Sequence, residues 1–302
     1  MSIDKLIDGI IEKNNPAVLG LDPRLSYIPP HIIEAARGKN PEPFAAAAAA
    51  LLAFNRGLID ALFDIVPAVK LQSACYEQFR YEGVKAYHDT IAYAKSRGMY
   101  VIGDVKRGDI GSTCECYAAA HIGTVDLFGQ RLPVFDGDAM TVNPYLGSDG
   151  LTPFLVEGKM IFVLVKTSNP SSGELQDRQM EGRPLYRAVA DLVMALGAGS
   201  VGKYGYSEVG AVVGATYPAQ LAELRAAMPQ TFFLVPGYGA QGGGAADVEA
   251  AFDKNGFGAI VNSSRGIMAA WQKEGAPEKD YAAAARREAL RMREDLGRVR
   301  LG

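Results

Sequence analysis

The densest run of chemistry-bearing side chains is Asp104-Val105-Lys106-Arg107-Gly108-Asp109, which continues the apolar stretch Tyr100-Val101-Ile102-Gly103. In a strand, successive side chains alternate faces, so Asp104 and Lys106 share one face and Val105 takes the other. With Val105 packed against covering helices, Asp104 and Lys106 point inward, where two charges are costly unless paired or used. Alone, such a pair could serve only to fix the register of its strand. Two other apolar runs change that reading. Ala68-Val69-Lys70-Leu71-Gln72 directs Lys70 inward by the same alternation, and Val18-Leu19-Gly20-Leu21 ends on Asp22. Strands adjacent in sequence usually neighbour one another in space, so Asp22, Lys70, Asp104 and Lys106 are expected on one rim. Such an alternating array is more than register requires and points to chemistry. Asp109 stands apart. It lies beyond Gly108, which ends the strand, and capping the next helix with Ser112 and Thr113 accounts for it as well as a functional role does.

A second cluster, Pro236-Gly237-Tyr238-Gly239-Ala240-Gln241-Gly242-Gly243-Gly244, follows the apolar run Phe232–Val235. Glycines let backbone N–H groups come close to an anion. The spacing Gly237-x-Gly239-x-x-Gly242 matches a dinucleotide fingerprint, but that fingerprint expects a carboxylate closing the next strand. The next strand, Ala259-Ile260-Val261-Asn262, has none and runs into Ser263-Ser264-Arg265-Gly266. Arg265 and Gly266 beside a glycine-rich loop make a phosphate site of the kind many barrels carry after their last two strands. Asn262-Ser263-Ser264 also matches a glycosylation sequon, which its strand-end position and the lack of a secretory signal argue against.

The elements that must position these groups alternate along the chain. Strands are expected at Ala17–Leu21, Ala68–Gln72, Tyr100–Val105, Ala139–Asn143, Met160–Val165, Val209–Gly214, Phe232–Pro236 and Ala259–Asn262. Helices are expected between them at Pro43–Leu62, Glu77–Ser96, Thr113–Leu127, Gly150–Glu157, Pro184–Ala195, Pro218–Ala227 and Ala245–Asp253, with Ile3–Lys13 before the first strand and Tyr281–Leu296 after the last. Continuous apolar strands separated by helices indicate a parallel sheet. Eight such units fit a (β/α)8 TIM barrel, and residues 1–302 read as a single domain. The stretches 171–183 and 197–208 look like insertions.

With a net charge of −3, the chain lacks the basic excess of a general nucleic-acid or membrane-surface binder. The N-terminus has no signal-peptide pattern, and no apolar stretch reaches the length that spans a bilayer, so a cytoplasmic location is expected. Cys75, Cys114 and Cys116 are too few for a disulfide scaffold. His31, His88 and His121 fall outside the strand ends, and Cys114-x-Cys116 lies in a helical pattern, so no metal is expected.

These segments resemble orotidine 5′-phosphate decarboxylase, in the longer bacterial (type 2) branch of that family. The resemblance is carried by Gly20-Leu21-Asp22-Pro23-Arg24, Val69-Lys70, Asp104 to Thr113, Thr141-Val142-Asn143-Pro144-Tyr145, Ser168-Asn169-Pro170, Pro236 to Gly242 and Arg265-Gly266. It implies decarboxylation of orotidine 5′-monophosphate to UMP in pyrimidine biosynthesis without a cofactor. Lys106 would protonate C6, Asp104 would face the substrate carboxylate, Lys70 would hold the array and touch the ribose, and Asp22 would accept a ribose hydroxyl. Ser168 would read the pyrimidine edge, while Gln241 and Arg265 would grip the phosphate. Asp109 and Thr113 would reach into the neighbour's site in a homodimer. The loop from Thr167 to Glu174 is longer than in compact members of the family, and Lys166 has no role in this scheme. Two rivals share parts of the pattern. One is a metal-dependent sugar-phosphate decarboxylase or aldolase, which needs a carboxylate-rich metal site. The other is a phosphate-ligand-binding barrel that performs no chemistry.

Overall fold

A computed structural model describes residues 1–239 and 244–300. Its parallel strands β1 (Ala17–Leu21), β2 (Ala68–Gln72), β3 (Tyr100–Arg107), β4 (Ala139–Val142), β5 (Met160–Lys166), β6 (Val209–Val213), β7 (Phe233–Val235) and β8 (Ala259–Ser263) pair in chain order. β8 returns to β1 and closes a barrel. These strands are buried on both faces, which is why they read as unbroken apolar runs.

The inner face explains which end of the barrel can host a ligand. Val18, Ala68, Tyr100, Ile102, Phe162 and Ile260 form one cluster with Ile3, Leu6, Ile7 and Ile10 of helix α1 (Ser2–Lys13). The spacing of those four puts them on one helical face. α1 therefore stoppers the barrel where the strands begin, and the C-terminal ends of the strands are left to form a site. The outer face packs Val69, Leu71, Val101, Val105 and Val163 into a larger cluster beneath the surrounding helices. Those helices include α2 (Pro30–Lys39), α3 (Pro43–Leu62), α4 (Arg80–Ser96), α5 (Gly111–His121), α6 (Leu185–Gly197), α7 (Pro218–Ala227) and α8 (Tyr281–Arg300).

Several elements depart from the sequence reading. α5 stops at His121, and an antiparallel hairpin, Thr124–Leu127 with Gln130–Pro133, replaces the helical continuation to Leu127. Its turn needs positive φ at both Phe128 and Gly129, a backbone that a helix cannot accommodate. The segments 150–157 and 245–253 contain only short 3-10 turns, Thr152–Phe154, Ala245–Asp247 and Glu249–Ala251. α2 was not anticipated; Pro30 occupies its first helical position, where the missing N–H costs nothing. α3 corrects the statement about apolar length: its 20 residues are long and apolar enough to cross a membrane. It packs against α2, α4 and α8 instead, with Phe54, Leu58, Ile59 and Leu62 in the core.

Candidate active site

β1, β2 and β3 end side by side, and the register places Gly20 beside Lys70 and Gln72 beside Asp104. Because Ala68 and Ile102 face the barrel interior, alternation turns Lys70 and Asp104 inward directly above them. The Lys70 ammonium, 3% exposed, lies 2.5 Å from Asp104 Oδ2 and 3.5 Å from Asp22 Oδ1. Lys106 Nζ reaches Asp104 Oδ1 at 2.5 Å from the solvent side. Gln72 Nε2 donates to Asp104 Oδ2 at 3.2 Å, and Thr141 Oγ1 donates to Oδ1 at 3.0 Å. Burial alone pushes the Asp104 carboxyl up, but Lys70 and Lys106 outweigh it and hold the group well below the usual carboxylate range. Burial likewise lowers Lys70, and the carboxylates of Asp104 and Asp22 reverse this, holding the ammonium above its ordinary value. The four charges expected on one rim form one network.

Their strand is not a regular pleat. Gly103 pairs with Met140 and Arg107 with Val142, so β3 carries two more residues than β4 between those points. Within this bulge Lys106 adopts φ +47°, a left-handed backbone that a lysine rarely takes. Thr141 supplies what the ladder loses. Its hydroxyl oxygen accepts from Val105 N at 3.0 Å and Lys106 N at 2.9 Å while its proton goes to Asp104. One hydroxyl thus fixes both the strained backbone of Lys106 and the carboxylate beside it. Replacing Thr141 by valine is expected to lower kcat by about 10–100-fold, the cost of a small misplacement of reacting groups. On the activity that the sequence resemblance implies, UMP affinity should change little, and Thr141→Ser should restore the rate. Steady-state kinetics beside UMP titration checks this, and a full-rate Thr141→Val enzyme refutes it.

The array floors one lobe of a cleft, about 500 Å³, where Lys70, Asp104, Lys106 and Thr141 meet the apolar Leu164, Val212 and Leu234 and the loop residues Thr167, Ser168, Asn169 and Gln176. A second lobe of about 560 Å³ is lined by Arg24, Tyr27, Gly237, Ser264 and Arg265. Asp22, Gln72, Ser168, Pro236 and Asn262 line both, so the two are continuous. Together they have the size and the mixed apolar and polar lining of a small-molecule site. Gly237 and Gly239 hold φ of +108° and +74°, a backbone open to glycine and strained for other residues. Gly266 follows Arg265 in the short helix Arg265–Met268.

Not every expected residue joins this cleft. Gln241 and Gly242 lie outside the described residues. Asp109 and Thr113 do not line the cleft of their own chain. Nor do Asp109 and its neighbours cap α5: Ile110 precedes the helix without a side-chain cap, and among the described residues the Asp109 carboxylate accepts from Ile110 N alone, at 2.8 Å. The histidines are elsewhere too. His121 is buried against Phe135, with its pKa pushed down to about 4 by burial, while His31 and His88 sit at the surface beside Glu278 and Asp89.

Three cleft residues escaped the sequence reading. Thr141 lay in a quoted motif, but its use depends on a bulge in the neighbouring strand. Asn262, read only as part of a sequon, is buried between the lobes, and its Oδ1 has no hydrogen-bond partner among the described residues. Gln176 comes from the insertion and grips Thr167 from both ends of its amide, at 2.9 and 2.7 Å.

The chain is similar to known proteins. The model of the orotidine 5′-phosphate decarboxylase / HUMPS family matches residues 51–279. A protein of Rhodopirellula baltica named orotidine 5′-phosphate decarboxylase is 44% identical over 295 residues, covering 95% of this chain and 96% of the relative. One of that name from Clostridium novyi is 42% identical over 301 residues, covering 98% of each. The chain belongs to the orotidine 5′-phosphate decarboxylase / HUMPS family. Among solved structures of the family, the Leishmania donovani OMP decarboxylase superposes with a TM-score of 0.74 at 30% identity, covering 100% of this chain and 99% of that one. The segment matched by the family model holds Lys70, Asp104, Lys106 and Arg265, and Asp22 lies in the stretch before it, on β1's rim. Here both rim carboxylates, Asp22 and Asp104, are engaged by Lys70, which suits a charge array better than a metal cage.

Proposed function

We propose that this chain decarboxylates orotidine 5′-monophosphate to UMP and carbon dioxide, as its full-length relatives are named for doing, without a cofactor. The observation that carries the reading is the continuity of the cleft: a lysine–aspartate array beside the apolar Leu164, Val212 and Leu234 at one end, and Gly237 with Arg265 at the other. A nucleotide with its phosphate at Arg265 lays its ribose beside Asp22 and Lys70 and its pyrimidine over Leu164, Val212 and Leu234. Ser168 then meets the ring edge, and C6 with its carboxylate faces Asp104 and Lys106. As the bond from C6 to the carboxylate breaks, its electron pair stays on C6 and carbon dioxide departs. The Lys106 ammonium donates a proton to C6 and recovers one from solvent. Gln241 joins Arg265 on the phosphate.

The chain works as one barrel domain in the cytoplasm and pairs as a homodimer, in which Asp109 and Thr113 serve the partner's cleft. Support for the pairing comes from the surface around Asp109. Ile110, Tyr145 and Leu146 are 65%, 76% and 46% exposed, and a side chain at Gly150 would touch both Asp109 and Leu146, so these residues form one apolar patch suited to a partner.

The test is carbon dioxide release from orotidine 5′-monophosphate by the purified protein, with and without EDTA. Release unaffected by the chelator is expected. Release abolished by EDTA would favour the metal-dependent rival, and UMP binding with no release would favour the non-catalytic barrel.

A further inference from the structure

Lys166 ends β5 outside the charge array and is only 1% exposed. Its ammonium faces the loop 167–184 and not the cleft. Nζ lies 2.7 Å from Asp177 Oδ1 and 3.2 Å from Ser172 Oγ, both within that loop. It also sits 4.8 Å from the ring centre of Tyr217 and 5.9 Å from that of Tyr186. A buried ammonium is expensive unless its partners stay in place. Its carboxylate partner is itself 40% exposed and belongs to a loop that could otherwise lift away.

The same loop carries Thr167, Ser168, Asn169 and Gln176 of the cleft wall. Its root is pressed close to the barrel. Gly214 N donates to Lys166 O at 2.8 Å, and a Cβ on Gly214 would come within 2.8–3.0 Å of Ser168. Between root and tip the loop is cross-tied by the Gln176–Thr167 amide pair. Gln220 Nε2 of α7 adds a longer hydrogen bond to Asp177 Oδ1, at 3.4 Å, and Tyr186 N donates to Gln176 O at 3.0 Å, so among these ties of the wall Lys166 is the buried, charged one.

We infer that Lys166 is a positioning residue: its ammonium pins the loop 167–184 through Asp177 and Ser172 and so holds Ser168 and its neighbours in the geometry that receives the pyrimidine. The kinetic consequence rests on the decarboxylase reading; the anchoring does not. Lys166→Met keeps most of the side chain's length and removes its charge, and Asp177→Asn weakens the attraction from a half-exposed position. Both are expected to raise KM and weaken UMP binding about tenfold while kcat stays within about threefold, the pattern of lost uniform binding. Protease cleavage between residues 170 and 184 should quicken about tenfold as the loop opens more often. The double variant should bind no worse than the weaker single one, since the two groups act as a unit. A folded Lys166→Met or Asp177→Asn protein with unchanged KM, UMP affinity and loop cleavage overturns the inference, even if its Tm is lower. A wild-type chain that releases no carbon dioxide sinks the decarboxylase reading, and the cleavage measurement then still decides the role of Lys166.

Discussion

Alanine in place of Lys106 is expected to lower UMP formation from orotidine 5′-monophosphate by about four orders of magnitude, at the upper end of what a proton donor alone contributes. Two losses combine. An ammonium about 4 Å from the carbanion at C6 stabilises it by roughly 4 kcal/mol at an effective dielectric near 20. In the proposed mechanism the same group supplies the proton that makes departure of carbon dioxide irreversible. Neither loss disturbs the scaffold. The Lys106 side chain is 43% exposed, and its removal leaves Asp104 bound by Lys70, Gln72 and Thr141. The folded signal and UMP affinity should therefore survive. Asp104 and Lys70 have pKa values displaced away from neutrality in opposite directions. Asp104 keeps its charge as pH falls until well below the usual carboxylate range, so a rate decline between pH 7 and 5 cannot come from it. The decisive measurement is kcat of Lys106→Ala at saturating substrate. A value within tenfold of wild type would remove Lys106 from the mechanism.

Lys106 alone is not the whole of catalysis. Enzymes lower barriers by about 8–23 kcal/mol, well beyond one ammonium's share. The remainder has to come from organisation, and the cleft supplies it at a distance from C6. In the proposed reading Arg265 and the Gly237 turn hold the phosphate end and the loop pinned by Lys166 forms the pyrimidine wall, while the Thr141 hydroxyl fixes the bulge. Binding energy from parts of the substrate that do not react is then used to set the reacting carbon against charges that need not rearrange.

The barrel was legible because each strand is buried on both faces and its apolar run leaves no choice of period; β1 and β2 fall where their residues alone place them. The rim was legible for a related reason. Lys70 and Asp104 each interrupt an apolar run at an inward position, and a charge there is informative whatever the surroundings. The bulge at Lys106 was not legible, since it depends on a threonine hydroxyl from β4 that no local pattern in β3 announces. Lys166 is a similar case: a lysine at a strand end says nothing until Asp177, Ser172 and two tyrosines from other segments surround it. The hairpin after α5 was missed because Thr124–Leu127 continues a helix-compatible pattern, and only the positive φ at Phe128 and Gly129 breaks it. On the proposed dimer reading Asp109 is of a third kind, in which one chain cannot supply the partner that gives the residue its use.

Mixing two inactive proteins, Lys106→Ala and Asp109→Ala, should recover activity once their subunits exchange. In a dimer with shared sites, each cleft takes Lys106 from one chain and Asp109 from the other. A mixed dimer then has one cleft missing both groups and one cleft complete. Random exchange makes half of the dimers mixed and leaves half of their clefts intact, so about a quarter of wild-type activity is expected in an isologous pair. If Asp109 instead served its own chain, every cleft in the mixture would lack one group and nothing would return. The position of Asp109 fits the first case. It lies outside the cleft of its own chain, makes no cap for α5, and borders the exposed Ile110, Tyr145 and Leu146. Differential tags that isolate the mixed dimer before assay make the result decisive. A purified mixed dimer with no turnover would return Asp109 to a structural role in its own loop, while recovery would make the second subunit part of the catalytic unit.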